Sequence, residues 1–171
     1  GTNYVSGSAL PFPWPEPVTF KVDKTLDLAC ALTDTQVGLA TTEGFTAHKL
    51  DGTFAFNSKV GGAPVSSILA DPSTFYVSRA GQLQAIDEKG DVVWTCPFKG
   101  SPGQSPLLTE THVIMTLSSK NKHRVIAVAR ENGDVSWEKT LKGAPSSSPI
   151  YAATPKSRIL IIDESGELTA W

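Results

Sequence analysis

The chain has 171 residues, 40% of them hydrophobic and 19% charged, with a formal net charge of −2. That composition excludes a disordered segment and offers no basic face for nucleic acid. The longest apolar runs, such as Val125 to Ala129, fall far short of the roughly 20 residues that span a bilayer, so membrane insertion is not expected.

From the N-terminus, residues 1–17 read as a Pro-rich extension. The stretch Leu10-Pro11-Phe12-Pro13-Trp14-Pro15-Glu16-Pro17 alternates proline with other residues and predicts an extended polyproline II segment. Phe12 and Trp14 are expected to dock on the folded body or on a partner rather than hang free. Residues 18–171 then read as one all-β repeat domain. Val18-Thr19-Phe20-Lys21-Val22 predicts a lone strand, with Phe20 standing 12 residues before Leu32 as Phe56 stands 12 before Ile68.

Three aromatic residues mark the repeat: Phe56, Trp94 and Trp137. Each follows a glycine by four residues (Gly52, Gly90, Gly133) and precedes a proline by eight (Pro64, Pro102, Pro145). Between aromatic and proline the three copies run Val60-Gly61-Gly62-Ala63-Pro64, Phe98-Lys99-Gly100-Ser101-Pro102 and Leu141-Lys142-Gly143-Ala144-Pro145. The intervening stretches match too: Gly81 to Asp87 aligns with Gly166 to Trp171, and Arg124 to Val128 fills the same slots without the leading glycine. A period of about 36 to 43 residues is near that of a four-stranded propeller blade.

In the third copy the four strands are predicted at Pro106–Thr109, Val113–Leu117, Val125–Ala129 and Val135–Leu141. Asp51-Gly52, Lys89-Gly90, Asn132-Gly133 and Ser165-Gly166 supply the residues that tight hairpin turns demand. The last copy ends on its third strand at Trp171. The predicted strand at residues 18–22 can complete it as the fourth, closing a ring of four sheets or half of an eight-sheet ring built from two chains.

The spacing Gly-x-Leu-x-Ala-Ile-Asp-x-x-Gly-x-x-x-Trp from Gly81 to Trp94, with Ser147-Ser148-Pro149 and the outer tryptophans, resembles the PQQ-like repeat of quinoprotein-type β-propellers. The resemblance covers residues 18 to 171 and implies a β-propeller of four PQQ-like four-stranded repeats. It also leans toward a periplasmic or otherwise exported location. Catalytic members carry adjacent cysteines over the quinone and carboxylate ligands for calcium. This sequence has no adjacent cysteine pair, and Asp51, Asp87 and Asp163 sit at repeat-turn positions.

No catalytic set, cofactor or metal is therefore expected. Ser66-Ser67 and Ser146 to Ser148 recur with the repeat, and His48, His112 and His123 lack metal-ligand spacing. Cys30 and Cys96 fall in different repeats; a bridge is allowed, but two buried thiols are the preferred reading. Trp94 and Trp137 can serve as stacking platforms for a ligand, but their recurrence favours packing between neighbouring sheets.

Departures from the repeat are better binding candidates, because loops carry function on a rigid scaffold. Ser118 to Arg124 lengthens the middle hairpin of the third copy and gathers Lys120, Asn121, Lys122, His123 and Arg124. With Phe12 and Trp14, these are the candidate binding residues. The expected function is a non-catalytic scaffold for a protein partner, with homodimer formation as one mode of assembly. The alternatives are carbohydrate-like ligand binding and a divergent quinoprotein oxidoreductase fragment.

Overall fold

The computed structural model describes residues 26–41, 44–58, 66–153 and 157–171. The predicted strand at 18–22, Phe12, Trp14 and the 60–64 turn lie outside the described residues.

Four antiparallel sheets follow one another along the chain, and no helix occurs among the described residues. The first contains β1 (Leu26–Leu32), β2 (Gln36–Thr41), β3 (Gly44–Lys49) and β4 (Phe54–Ser58). The second contains β5 (Leu69–Ala70), β6 (Thr74–Arg79), β7 (Gln82–Asp87) and β8 (Val92–Pro97). The third contains β9 (Ser101–Pro102), β10 (Leu107–Leu108), β11 (His112–Ser119), β12 (Lys122–Ala129) and β13 (Val135–Leu141). Three described strands, β14 (Ile150–Ala152), β15 (Arg158–Ile162) and β16 (Leu168–Ala170), form the fourth.

Within each sheet the strands pair in chain order, apart from β9, which pairs with β11 farther along the edge that β10 occupies. Among the described residues no strand pairing joins the first sheet to the last. The anticipated ring closure thus rests on residues 18–22, outside the description.

The repeated alanine explains the repeated aromatic. Ala47, Ala85 and Ala127 stand opposite Phe56, Trp94 and Trp137 on the neighbouring strand, and the register shifts immediately after each pair. A small residue leaves room for the ring, and the bulge adds local twist to the outer hairpin. The ring then reaches the next sheet. A Cβ on Gly90 would lie 2.7 Å from the Phe56 ring, and one on Gly133 would lie 2.7 Å from Trp94. Both glycines also have positive φ, 92° and 79°. Glycine is required here twice over, by backbone conformation and by contact with the previous sheet's aromatic.

Side-chain alternation divides each middle strand between two cores. On β6, Phe75 and Val77 pack with Phe45, Ala47 and Phe56 of the first sheet. Tyr76, on the opposite face, packs with Val113, Met115 and Val128 of the third. On β12, Val125 and Ala127 meet Ile159 and Ile161 of the fourth sheet, while Ile126 and Val128 turn back to the second. The central stretches Phe75 to Val77 and Val125 to Val128 run without a charged residue because both faces are covered. Each fully buried side chain such as Phe75 stabilises the fold by roughly 1.5–3 kcal/mol.

Polar groups close the hairpins. Asp87 Oδ1 accepts hydrogen bonds from the amides of Lys89 and Asp91, each at 2.9 Å. Asp51 and Asp163 hold the amides of Thr53 and Ser165 likewise, both at 2.9 Å. The aspartates occupy turns, as their repeat positions predicted. The cysteine expectation needs correction: Cys96 is buried, Cys30 is exposed, and both are free thiols. Cys30 stands opposite Leu39 on the side of the first sheet that faces away from the second, where no described sheet covers it.

Candidate protein-docking cleft

The long hairpin β11–β12 carries the charged segment singled out in the sequence. Pairing continues out to Ser119 opposite Lys122, so only Lys120 and Asn121 form the turn. Lys120 takes φ 50°, the left-handed conformation that a two-residue hairpin turn calls for. In the second sheet the corresponding hairpin stops at Arg79 opposite Gln82. Leu117, which matches Arg79, and Ser118 just beyond it also pair on their other side with Pro102 and Ser101 of β9.

Lys122, His123 and Arg124 line a cleft of about 580 Å³ together with Lys99, Ser119, Glu138 and Thr140. A second concavity of about 490 Å³, formed by Pro97, Phe98, Lys99 and Arg124, shares two of these residues and extends the groove toward the second sheet. Phe98 packs against the core between the second and third sheets and gives this end an apolar floor. The sequence-predicted Lys120 and Asn121 sit at the hairpin tip and do not line the cleft.

Arg124 organises the middle of the groove. Its guanidinium donates to Glu138 Oε2 on β13 at 2.9 Å and to the Lys99 carbonyl at 2.7 Å. The second bond ties the connection after β8 to the third sheet and fixes the position of Lys99. His123 Nδ1 lies 3.0 Å from Ser118 Oγ. Glu138 is thus engaged by Arg124, whereas the ammonium groups of Lys99 and Lys122 have no hydrogen-bonding or ionic partner among the described residues. The groove has two unmatched cations, one fixed guanidinium and an apolar end, an arrangement that favours an anionic ligand with some apolar surface.

Two other polar assemblies are internally satisfied. Between the second and third sheets, Asp71 Oδ2 accepts from the Tyr76 hydroxyl at 2.7 Å and is paired with Arg130. Arg130 also donates to Tyr76 Oη at 3.0 Å and to the carbonyls of Thr109 and Glu110 at 2.9 and 2.8 Å. Burial, reinforced by Asp71, pushes the Tyr76 hydroxyl up to about 12. Burial works to raise Asp71 as well. The Ser73 amide, the Tyr76 hydroxyl and Arg130 outweigh it and hold the carboxyl below its ordinary value. This cluster clamps two sheets together.

A smaller cleft of about 280 Å³ between the third and fourth sheets is lined by Glu110, His112, Trp137 and Tyr151, among others. There His112 lies 2.8 Å from Thr111 Oγ1 and 2.9 Å from Ser136 Oγ, and Tyr151 donates to Ser157 Oγ at 2.7 Å.

Sequence reasoning missed Lys99, Phe98, Glu138 and Thr140. Lys99 lies in the recurrent stretch before Gly100 and reads as turn scaffolding, while Glu138 and Thr140 alternate along an ordinary outer strand. Only the register of β12 with β13, which sets Arg124 opposite Thr140, brings them to the hairpin.

A family model described as Outer membrane protein assembly factor BamB matches residues 36–171. No curated protein sequence matches the chain. Among solved structures, the chain is similar to the computationally designed Ika4 protein, with 9% identity, a TM-score of 0.70, and 88% of this chain and 92% of that one covered. It is also similar to BamB from Moraxella catarrhalis, with 16% identity and a TM-score of 0.61, covering 87% of this chain and 50% of that one. A third similar structure is BBS1N, solved in complex with ARL6DN: 16% identity, TM-score 0.60, with 80% of this chain and 45% of that one covered. The chain spans about half the length of the latter two. At these identities the likeness concerns the fold.

Proposed function

The chain belongs to the PQQ-like repeat family whose model is described as outer membrane protein assembly factor BamB, and from that premise we propose that it is a non-catalytic β-propeller scaffold for a protein partner. The groove along β11–β12 is its docking site, and an acidic segment of the partner is the occupant. One observation carries the reading. Lys99 and Lys122 line a groove whose one carboxylate, Glu138, is taken by Arg124, which also donates to the Lys99 carbonyl, so neither ammonium group has an ionic partner among the described residues.

Cations kept solvated along a groove are a weak source of stability, because exposed pairs contribute about 0–1 kcal/mol. They speed and select encounters with an oppositely charged surface instead. The family description names an assembly factor, and one fold neighbour was solved with a protein bound; both favour a protein partner. The non-catalytic part of the proposal draws on Asp51, Asp87 and Asp163, each engaged by backbone amides of its own turn.

Fluorescence anisotropy with a labelled glutamate-rich peptide containing one phenylalanine tests the groove. The native chain is expected to bind it in a salt-dependent manner, and the double variant Lys99→Glu, Lys122→Glu to lose at least tenfold in affinity. Equal binding by both proteins would remove the groove from the proposal.

A further inference from the structure

Successive sheets meet at a joint where the connection leaving one sheet passes the third strand of the next. Two repeat positions face each other there. The first stands five residues after the outer aromatic: Lys99 after Trp94, and Lys142 after Trp137. The second stands three residues before the repeated alanine: Arg124 before Ala127, and Glu167 before Ala170. The strand registers agree with this match, since Ala127 pairs with Ile114 and Ala170 with Leu160, the corresponding residues of β11 and β15.

Between the third and fourth sheets the two positions satisfy each other. Lys142 Nζ donates to Glu167 Oε1 and Oε2 at 2.8 and 3.1 Å, and Glu167 holds the ammonium above its ordinary value. This pair is exposed and adds little stability, but it shows where a carboxylate sits at such a joint. Leu141, just before Lys142, is buried. Between the second and third sheets both positions are cations. Arg124 reaches Lys99 through its carbonyl at 2.7 Å, and the Lys99 ammonium has no partner among the described residues. Phe98, which matches Leu141, is half-buried. One joint contains its own carboxylate, and the other repeats the arrangement without it.

We propose that the partner's acidic segment supplies the missing group: one aspartate or glutamate carboxylate binds between the Lys99 ammonium and the Arg124 guanidinium, in the role that Glu167 plays at the next joint. This rests on the groove being the docking site and adds what the occupant must carry. Lys99 and Arg124 line both concavities, so the carboxylate lies where the two meet. On one side Pro97 and Phe98 receive an apolar side chain; on the other Lys122 meets a second acid. The preferred segment therefore presents an apolar residue, a central acid and an outer acid. Arg124 is the specificity-determining residue. A carboxylate in its place would pair with Lys99 from inside the molecule, as Glu167 does with Lys142, and would repel the acidic segment.

Anisotropy titrations with a short labelled peptide provide the test. It carries one phenylalanine, a central glutamate and an outer glutamate, and is made in both chain directions so that the tighter binder can be used. On the native chain, replacing the central glutamate by glutamine is expected to cost about tenfold or more in affinity, the scale of a charged hydrogen bond. Replacing the outer one should cost no more than about fivefold. Arg124→Glu and Lys122→Glu each exchange one cation for one anion, yet the first is expected to lose about tenfold or more and the second no more than about fivefold. In Arg124→Gln, with its fold checked by circular dichroism, the central substitution in the peptide should cost less than about threefold, because the interaction it removes is already gone. Equal losses at the two peptide positions, or at Arg124 and Lys122, would overturn the central contact while leaving the groove as the docking site. An undiminished central cost in Arg124→Gln would do the same. A native chain that binds the peptide no better than the Lys99→Glu, Lys122→Glu variant would overturn the docking reading itself, and this inference with it.

Discussion

Trp94 and Trp137 hold the same place in successive repeats, each opposite an alanine and beside a bulge, yet they end in different surroundings. Trp94 is 8% exposed, stacks on the Gly133 turn and donates its indole N–H to the Arg130 carbonyl at 2.8 Å. Trp137 is only half-buried, lines an open cleft, and no described glycine turn lies against it. The aromatic is therefore one half of a joint, and the turn of the following sheet is the other. A repeat motif specifies the ring; the neighbour determines how much of its area leaves water.

Substitutions can pull that contrast apart. Trp94→Ala is expected to lower stability by roughly 3–5 kcal/mol, as truncation of buried aromatics does. Trp137→Ala should cost only about 1–2 kcal/mol, in keeping with its smaller buried area. Equal losses in urea unfolding would show that the two positions are equivalent after all. Next comes Gly133→Ala, which forces a side chain into a φ of 79° and against the Trp94 ring. The expected cost is roughly 2–4 kcal/mol. Gly166→Ala is the control: its φ is 80° but nothing lies within 4 Å of the added carbon, so only the backbone part of that cost, about 1 kcal/mol, should remain.

The clamp beside Trp94 sharpens the comparison at a smaller scale. Asp71→Asn weakens a charged hydrogen-bond cluster and should cost about 1.5–3 kcal/mol at neutral pH. Because the folded carboxyl titrates below its ordinary 3.8, its contribution is present above that value and lost as pH falls through the folded one. Native and variant midpoints should accordingly converge as pH falls below 3.8; a constant gap would mean the carboxylate charge is not what matters. The smallest effect is expected at Lys122→Ala, within about 0.5 kcal/mol of native stability, because a solvated cation supports binding rather than folding.

Much of the array could be read before the structure. The predicted Val135–Leu141 strand coincides with β13, and Val113–Leu117 and Val125–Ala129 lie inside β11 and β12. Pro106–Thr109 contracts to Leu107–Leu108 because Pro106 has no donor and Thr109 turns the chain, its hydroxyl bonding the His112 carbonyl and amide at 3.0 Å. β9 escaped notice because it is only two residues long, Ser101 and Pro102, and pairs with the far end of β11.

The groove was half legible. Clustered charge pointed to Lys122, His123 and Arg124, but Lys99 and Glu138 belong to other strands, and no periodicity relates them. The Asp71–Tyr76–Arg130 clamp was hidden for the same reason: its members come from two sheets, and each looks like an unremarkable residue in its own repeat.

The division of each middle strand between two cores has a consequence for how errors in folding are rejected. Sliding β6 by one residue against β7 would exchange Phe75 and Val77 for Tyr76 and Ser78 on one side and deliver the reverse set to the other. Two cores would be misfilled at once. Arg79, which donates to Gln84 Oε1 at 2.9 Å and to Ser58 Oγ at 3.3 Å, would be carried to the side where Met115 lies. The second and third sheets thus proofread their alignment against both neighbours, whereas a sheet buried on one face is checked from that side alone.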